Sequence, residues 1–346
     1  MKRADLEYHL PPELIAQSPT EPRDHCRMLV VRRDDHSIHD RHFYDLGDYL
    51  QRGDVLVLND TKVIPARLTL MRRTGGRLEG LFVRELDRSR WELMIRGIGK
   101  LKIGETLAIE GSDRCVRLAE RSSEKTAIVE LDQPTGAIEF LDRIGRMPLP
   151  AYIHRDGAGE DLEEEDRRWY QTVYSRAPGA IAAPTAGLHF TEAQLTALRQ
   201  SGIETAMVTL HVGRGTFEPI TAGSLGEHKM DREWYDVSVE AAATINAGRE
   251  RGSKIVAVGT TAVRVLESAG VGGRLEPGRG WTDLFIYPPY RFRRVDALIT
   301  NFHLPETTLL ALVYAFAGAE LVRRAYQHAI EKRYRFYSDG DAMVIL

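Results

Sequence analysis

Apolar and polar positions alternate in short runs along the first third of the chain, and the rhythm changes near residue 180. Residues 28–33 read as a strand, and Val55-Leu56-Val57-Leu58 is a short continuous apolar run of the kind a buried strand carries. From Ala66 to about Glu130 the alternation has period two, in runs at 67–71, 78–84, 91–95, 106–109, 116–119 and 126–131. Gly75-Gly76, Gly99-Lys100 and Gly111-Ser112-Asp113 punctuate them. Short strands at this spacing predict a small barrel or sandwich, with a helix over 137–144 closing it.

Beyond residue 180 strand and helix patterns alternate. The spacing predicts helices at 191–200, 238–251, 262–269, 307–317 and 320–332, the first with Thr191 as N-cap. Strands are expected at 206–210, 254–258, 282–287, 297–300 and 342–346. The fold class is therefore α/β in a mixed α+β arrangement. Residues 1–65 and 152–346 are expected to form one discontinuous α/β domain, and residues 66–151 an inserted small antiparallel β-barrel. Arg146-Met147-Pro148-Leu149-Pro150 is a stiff exit from that insert, and the acidic run 159–166 after it reads as a solvated loop or helix start.

With 346 residues the chain is long enough for two domains and a substantial core. No stretch approaches the ~20 continuous apolar residues of a membrane span, and the N-terminus lacks the apolar segment of a signal peptide. The two cysteines, Cys26 and Cys115, are far apart, which fits a reducing cytoplasm better than a disulfide scaffold. The net charge of −3 does not advertise a nucleic-acid binder. Two segments interleave aromatics with arginines all the same, Tyr290-Arg291-Phe292-Arg293-Arg294 and Lys332-Arg333-Tyr334-Arg335-Phe336-Tyr337. Such segments either stack on bases and hold phosphates or form basic edges with the rings turned inward.

Chemistry concentrates where predicted strands end. Two blocks rich in small and polar residues stand out, Ala182-Ala183-Pro184-Thr185-Ala186-Gly187-Leu188-His189-Phe190-Thr191 and Thr209-Leu210-His211-Val212-Gly213-Arg214-Gly215-Thr216-Phe217. Small residues let a ligand approach the backbone, while Thr and His supply hydrogen bonds and protons. Strand 55–58 runs into Asn59-Asp60-Thr61-Lys62, and strand 206–210 into His211. Strand 254–258 runs into Gly259-Thr260-Thr261, and strand 297–300 into Asn301-Phe302-His303. In open α/β sheets ligands bind beyond the carboxyl ends of strands, so four such endings predict a shared cleft. Gly259-Thr260-Thr261 at a helix start suits a carboxylate or phosphate, or is an ordinary N-cap. Neither GxGxxG, the Walker motif, GxSxG nor HExxH is present, and His189, His211, His228 and His303 lack metal-ligand spacing.

These blocks resemble a known family, the S-adenosylmethionine:tRNA ribosyltransferase-isomerases of queuosine biosynthesis. The likeness runs nearly end to end. It takes in 10–17, Asn59-Asp60-Thr61-Lys62-Val63-Ile64-Pro65-Ala66-Arg67, Tyr170-Gln171-Thr172-Val173-Tyr174 and the two small-residue blocks. His228-Lys229-Met230 with Glu233, Val258-Gly259-Thr260-Thr261, Thr300-Asn301-Phe302-His303-Leu304-Pro305 and Tyr334-Arg335-Phe336 complete it.

The resemblance implies transfer and isomerisation of the ribosyl moiety of S-adenosylmethionine onto 7-aminomethyl-7-deazaguanine at the wobble position of tRNAs with GUN anticodons. The products are epoxyqueuosine, adenine and methionine. S-adenosylmethionine is then a substrate and not a methyl donor, no cofactor or metal is expected, and the protein is expected to be a cytoplasmic monomer. His211, His303, His228, Glu233 and His189 are the acid–base candidates. Asn59, Asp60, Lys62, Arg67, Thr185, Gly187, Gly213, Gly215, Thr216, Thr260, Thr261 and Asn301 are the substrate-binding ones. Arg291, Arg293 and Arg294 are candidates for tRNA phosphate contact.

The chain departs from the family pattern at Asp231, where a second His often follows Met230, and at Pro289, Asp339 and Arg214. Two other readings compete: a non-catalytic RNA-binding protein, which need not keep the cleft His and Thr residues, and an enzyme on a free nucleoside, which would not need the basic aromatic segments.

Overall fold

The structure, a computed structural model, describes residues 1–155, 160–213, 220–271 and 273–346. The chain divides into two compact units. One comprises Met1–Lys62, Ala151–His154 and Gln171–Leu346, the other Val63–Pro150 and Arg155–Tyr170.

The first unit is built on a nine-stranded mixed sheet. Its spatial order is Gly278–Thr282, Glu233–Val237, Glu204–Leu210, Val55–Asn59, Ile255–Val258, Ala297–Asn301, Ala342–Ile345, Arg27–Val31 and Ile38–His42. The four strands from Glu204–Leu210 to Ala297–Asn301 are mutually parallel. Every residue of Val55–Asn59, Ile255–Val258 and Ala297–Asn301 is buried. That is why these segments read as apolar runs: a strand covered on both faces has no solvent side to mark with polar residues.

Successive side chains point to opposite faces and feed two separate cores. Val55, Val57, Ile255, Ala257 and Leu298 pack with the helices Val239–Glu250, Gly259–Ser268, Thr308–Ala317 and Ala319–Glu331. Leu56, Leu58, Val256, Val258, Ala297 and Ile299 pack with Phe43, Leu46, Ala186 and Phe190, and with Leu195 and Leu198 of the helix Glu192–Gln200. Thr191 caps that helix by accepting the Gln194 N–H at 3.1 Å, and Ser238 and Thr307 cap two others the same way.

The second unit is a closed antiparallel barrel of six strands, ordered Thr126–Leu131, Arg90–Ile95, Arg77–Asp87, Arg67–Arg72, Thr106–Ile109 and Cys115–Arg121. Leu68, Leu70, Phe82, Trp91, Leu93, Leu107, Val116, Leu118, Ala127 and Val129 are among its buried apolar residues, at alternating positions. The helix Ala137–Ile144 follows, with Phe140 tilted against Trp91.

The large sheet and the six-stranded barrel are the α/β and antiparallel β elements that the patterning predicts. One expectation needed correction. The strand expected at 282–287 lies earlier, at Gly278–Thr282. The Leu284 N–H bonds the Thr282 hydroxyl at 3.1 Å, which turns the chain out of the ladder, and Ile286 then packs into the core as irregular backbone. The acidic run is the helix Glu160–Trp169, and it belongs with the barrel unit. Arg155 pairs with Asp166 at 2.9 Å, and the Met147 N–H bonds Glu163 at 2.9 Å, which ties the helix to the chain that leaves the barrel. The strands Ile38–His42 and Glu233–Val237 escaped prediction. Both are short and polar, and neither shows an apolar run.

Candidate active site

The carboxyl ends of the four parallel strands meet at a topological switch point. The chain leaves Val55–Asn59 and returns to the sheet over the face that carries Glu192–Gln200. It leaves Ile255–Val258 into the helix Gly259–Ser268 on the opposite face. Adjacent strands whose connections part to opposite faces leave a crevice between them. A small pocket opens here, lined by residues that include Pro184, Thr185, Thr260, Thr261, Asn301 and His303.

Asn59 knits the strand ends together. Its Nδ2 donates to the Leu210 carbonyl at 3.0 Å and to the Thr261 hydroxyl at 3.2 Å. Its Oδ1 accepts the Leu210 N–H at 3.0 Å and the Thr61 N–H at 3.2 Å. The amide is thus fully used inside the protein. Asp60 is similarly held, by the Thr209 hydroxyl at 2.6 Å and Arg176 at 2.7 Å. Lys62 is exposed, and Arg67 belongs to the barrel unit, where it pairs with Arg146.

The helix Gly259–Ser268 starts without a side-chain cap, so its first N–H groups, with the Thr260 and Thr261 side chains, border the pocket. Gly259 turns the strand into the helix at φ +86°, a conformation that favours glycine. Across the pocket Asn301 is buried. Its Nδ2 donates to His189 Nε2 at 3.1 Å and to the Tyr337 carbonyl at 2.9 Å. Both amide hydrogens are spent on these acceptors, and Oδ1 has no hydrogen-bond partner.

His303 is buried, with Nε2 2.9 Å from the Thr300 hydroxyl, and burial pushes its pKa down to about 3. His189 lies deeper. Its Nε2 accepts from Asn301, so Nδ1 carries the proton and faces the Cys26 sulfur at 3.2 Å. Burial, then Arg335 and Arg23, push its pKa down to about 3. It lines a second recess with Cys26 and Asp339. Gly187 is required where it is, since a Cβ there would sit 2.1 Å from the Tyr174 hydroxyl.

His211 is half-buried beside the pocket residue Val212. Its Nδ1 is 2.8 Å from the Thr61 hydroxyl, which itself donates towards the Ala177 carbonyl at 3.5 Å. In the tautomer whose Nδ1–H donates to Thr61, Nε2 keeps its lone pair. Burial lowers the His211 pKa, and Asp60 partly offsets this. The ring stacks on Trp234, with centroids 4.9 Å apart and planes at 17°.

The other acid–base candidates lie apart. Glu233 is buried in an ion pair with Arg264 and accepts the Gly213 N–H at 2.8 Å. His228 packs edge-on against Phe285, and burial lowers its pKa against the raising effect of Asp231. Gly215, Thr216 and Arg214 lie outside the described residues.

Arg291 and Arg293 are exposed, but Arg294 corrects the expectation for its segment: it is buried. Its guanidinium occupies the space that a side chain at Gly270 would need and donates to the Arg274 carbonyl at 2.8 Å, so it faces inward. Sequence reasoning missed Thr61, Thr300, Gly179 and Trp234. Only Thr61 and Thr300 carried a signal, as polar residues at strand ends.

Residues 3–345 match the model of the family described as queuosine biosynthesis protein. The chain belongs to this family. It is 49% identical over 348 residues to the S-adenosylmethionine:tRNA ribosyltransferase-isomerase of Symbiobacterium thermophilum, with full coverage of both chains. It is 51% identical to the enzyme of the same name from Anaeromyxobacter sp., covering 100% of this chain and 99% of that one. Among solved structures, the S-adenosylmethionine tRNA ribosyltransferase of Thermotoga maritima is similar, with 38% identity, a TM-score of 0.56 and coverage of 99% of this chain and all of that one. Among the described residues no helix is long and apolar enough to cross a membrane.

Proposed function

We propose that this member of the queuosine biosynthesis family is an S-adenosylmethionine:tRNA ribosyltransferase-isomerase. It moves the ribosyl group of S-adenosylmethionine onto the aminomethyl group of 7-aminomethyl-7-deazaguanine at the wobble position of tRNAs with GUN anticodons, giving epoxyqueuosine, adenine and methionine. It acts in the cytoplasm as a monomer, without a metal or cofactor.

The observation that carries this reading is the convergence at the switch-point pocket. An uncapped helix start with Thr260 and Thr261 lines the pocket together with Asn301, whose buried Oδ1 has no hydrogen-bond partner. An α-amino acid end fits that pair: its carboxylate on the helix N–H groups and its ammonium on Asn301. The sulfonium then lies inside the pocket mouth and acidifies the sugar carbon beside it. A neutral histidine takes that proton. His303, with its pKa near 3, is too weak a base for the task. His211 is half-buried, and with its Nδ1–H on Thr61 it has a free Nε2 lone pair, so it is the base, and His303 serves as a hydrogen-bonding group for ribose or adenine. The tRNA amine attacks the sugar, adenine leaves, and methionine departs as the epoxide closes. Glu233 positions Gly213 through its backbone N–H and does not exchange protons with substrate. Arg291 and Arg293 contact tRNA phosphates.

The test is incubation with S-adenosylmethionine and tRNA carrying the aminomethyl-deazaguanine, followed by digestion and mass measurement of the nucleosides. The reading expects epoxyqueuosine together with adenine. Tight tRNA binding with no mass change, where a relative of the same family is active, would reject it.

A further inference from the structure

Three aromatic residues follow one another across one edge of the large sheet. His211 follows the strand Glu204–Leu210 and donates its backbone N–H to the Trp234 carbonyl at 3.0 Å, while its ring stacks on the Trp234 indole. Trp234 in turn sits directly opposite Trp281 in the antiparallel register of the outermost strand. Residues directly opposite in such a pair share a face, with Cβ atoms about 4.5–5.5 Å apart. Two residues along on that same face Asp236 opposes Arg279, joined by an ion pair of 2.9 Å.

This row contributes little to folding at its outer end. Trp281 is 57% exposed, the largest apolar side chain the chain leaves in solvent, and the Arg279 side chain is 75% exposed. A single exposed aromatic needs no explanation. A row that begins at an exposed indole on an edge strand and ends at the proposed base does.

We infer that Trp281 and Trp234 form a stacking platform for unpaired nucleobases of the RNA substrate, the neighbours of the base that reacts. Arg279 meets a phosphate of the same strand. The inference rests on the ribosyltransferase reading and adds the surface that holds the loop. A base that undergoes chemistry has to leave its stack, which strands its neighbours without partners. Aromatic faces and arginine planes supply replacement partners without reading sequence, since every base has a π face. The platform leads straight to His211, so a loop seated on it delivers the extruded base to the pocket side.

The experiment uses the full chain and an RNA hairpin with the anticodon loop of a GUN tRNA, titrated at fixed salt and followed by anisotropy and by tryptophan fluorescence. Trp281→Ala should weaken hairpin binding about 5- to 150-fold, the range that loss of one base–aromatic stack gives. Trp281→Phe, which keeps a ring, should recover most of it. Calorimetric affinity for S-adenosylmethionine should not change in either variant, and the quenching of parent fluorescence by the hairpin should shrink in Trp281→Ala. Arg279→Ala should lower the salt dependence by about one phosphate contact. Parent-like hairpin affinity in Trp281→Ala, or a Trp281→Phe variant as weak as the Ala one, overturns the platform and leaves the ribosyltransferase reading intact. A parent that binds neither hairpin nor whole tRNA overturns both.

Discussion

Asn301 and His189 are 3.1 Å apart, amide nitrogen to Nε2, and that single bond decides which way the Asn301 amide faces. With the Tyr337 carbonyl taking the other amide hydrogen at 2.9 Å, Oδ1 is left without a hydrogen-bond partner, and the proposed ammonium would supply it. Asn301→Leu should therefore lose the charged hydrogen bond to the substrate ammonium. We expect about a 10-fold or greater loss of S-adenosylmethionine affinity by calorimetry, from a bond of about 1.5–3 kcal/mol. Free methionine should compete in the parent and fail to do so in the variant. Unchanged affinity would remove Asn301 from the binding site.

His211 has to be unprotonated to act as a base. Because burial lowers its pKa, it stays unprotonated at neutral pH, and turnover should fall only as the pH drops below the usual histidine value of about 6.5. His211→Ala should abolish that acid limb together with most of the activity. Gly179→Ala tests the same ring from outside. A Cβ there would lie 2.7 Å from His211 Nε2, at a φ of +151°. The ring would have to move, so adenine release should collapse while tRNA binding persists. Full activity in Gly179→Ala would show that the ring position does not matter.

His189 and His303 make the fold sensitive to acid. Both are held neutral with pKa values near 3, whereas the unfolded chain takes up a proton on each near 6.5. Stability is therefore lost as the pH falls below about 6.5, and the loss continues down to about 3. Each group costs about 1.4 kcal/mol per pH unit in that window. Urea unfolding at pH 7 and pH 5 should show a drop smaller by about 2 kcal/mol in His189→Gln than in the parent. Equal drops would mean that His189 titrates normally.

Glu233 and Arg264 form a buried ion pair, so removing one partner leaves the other charge uncompensated. Glu233→Gln should lower the unfolding free energy by about 3–5 kcal/mol. Replacing both partners, as Glu233→Leu with Arg264→Met, should restore much of it. If Glu233→Gln abolishes chemistry without loss of stability, Glu233 is acting on substrate after all.

Much of the site could be read ahead of the fold because the relevant residues follow recognisable strands. Asn59, His211, Thr260, Asn301 and His303 each come directly after an apolar run, and strand ends in a parallel sheet gather ligands. Glu233 and Trp234 could not be found in that way. They lie on a short polar strand near the sheet edge, and nothing in the spacing of EWYDV separates it from a loop. Arg294 was misjudged because the alternation in Tyr290–Arg294 marks amphipathic character without saying which side faces the solvent.

The sequence by itself determined the elements and their order, since a period of two, a period of 3.6 and buried apolar runs each follow from local geometry and from the cost of exposing apolar surface. It also determined the family. Only the tertiary structure decided which polar groups are already satisfied. Asn59 spends its whole amide on neighbouring strand ends, Glu233 is neutralised by Arg264, and Asn301 alone of these three keeps an unpaired acceptor. The partners lie 151, 31 and 112 residues away in the chain, and a hydrogen bond is set by distance and angle in space, which spacing along a sequence does not encode.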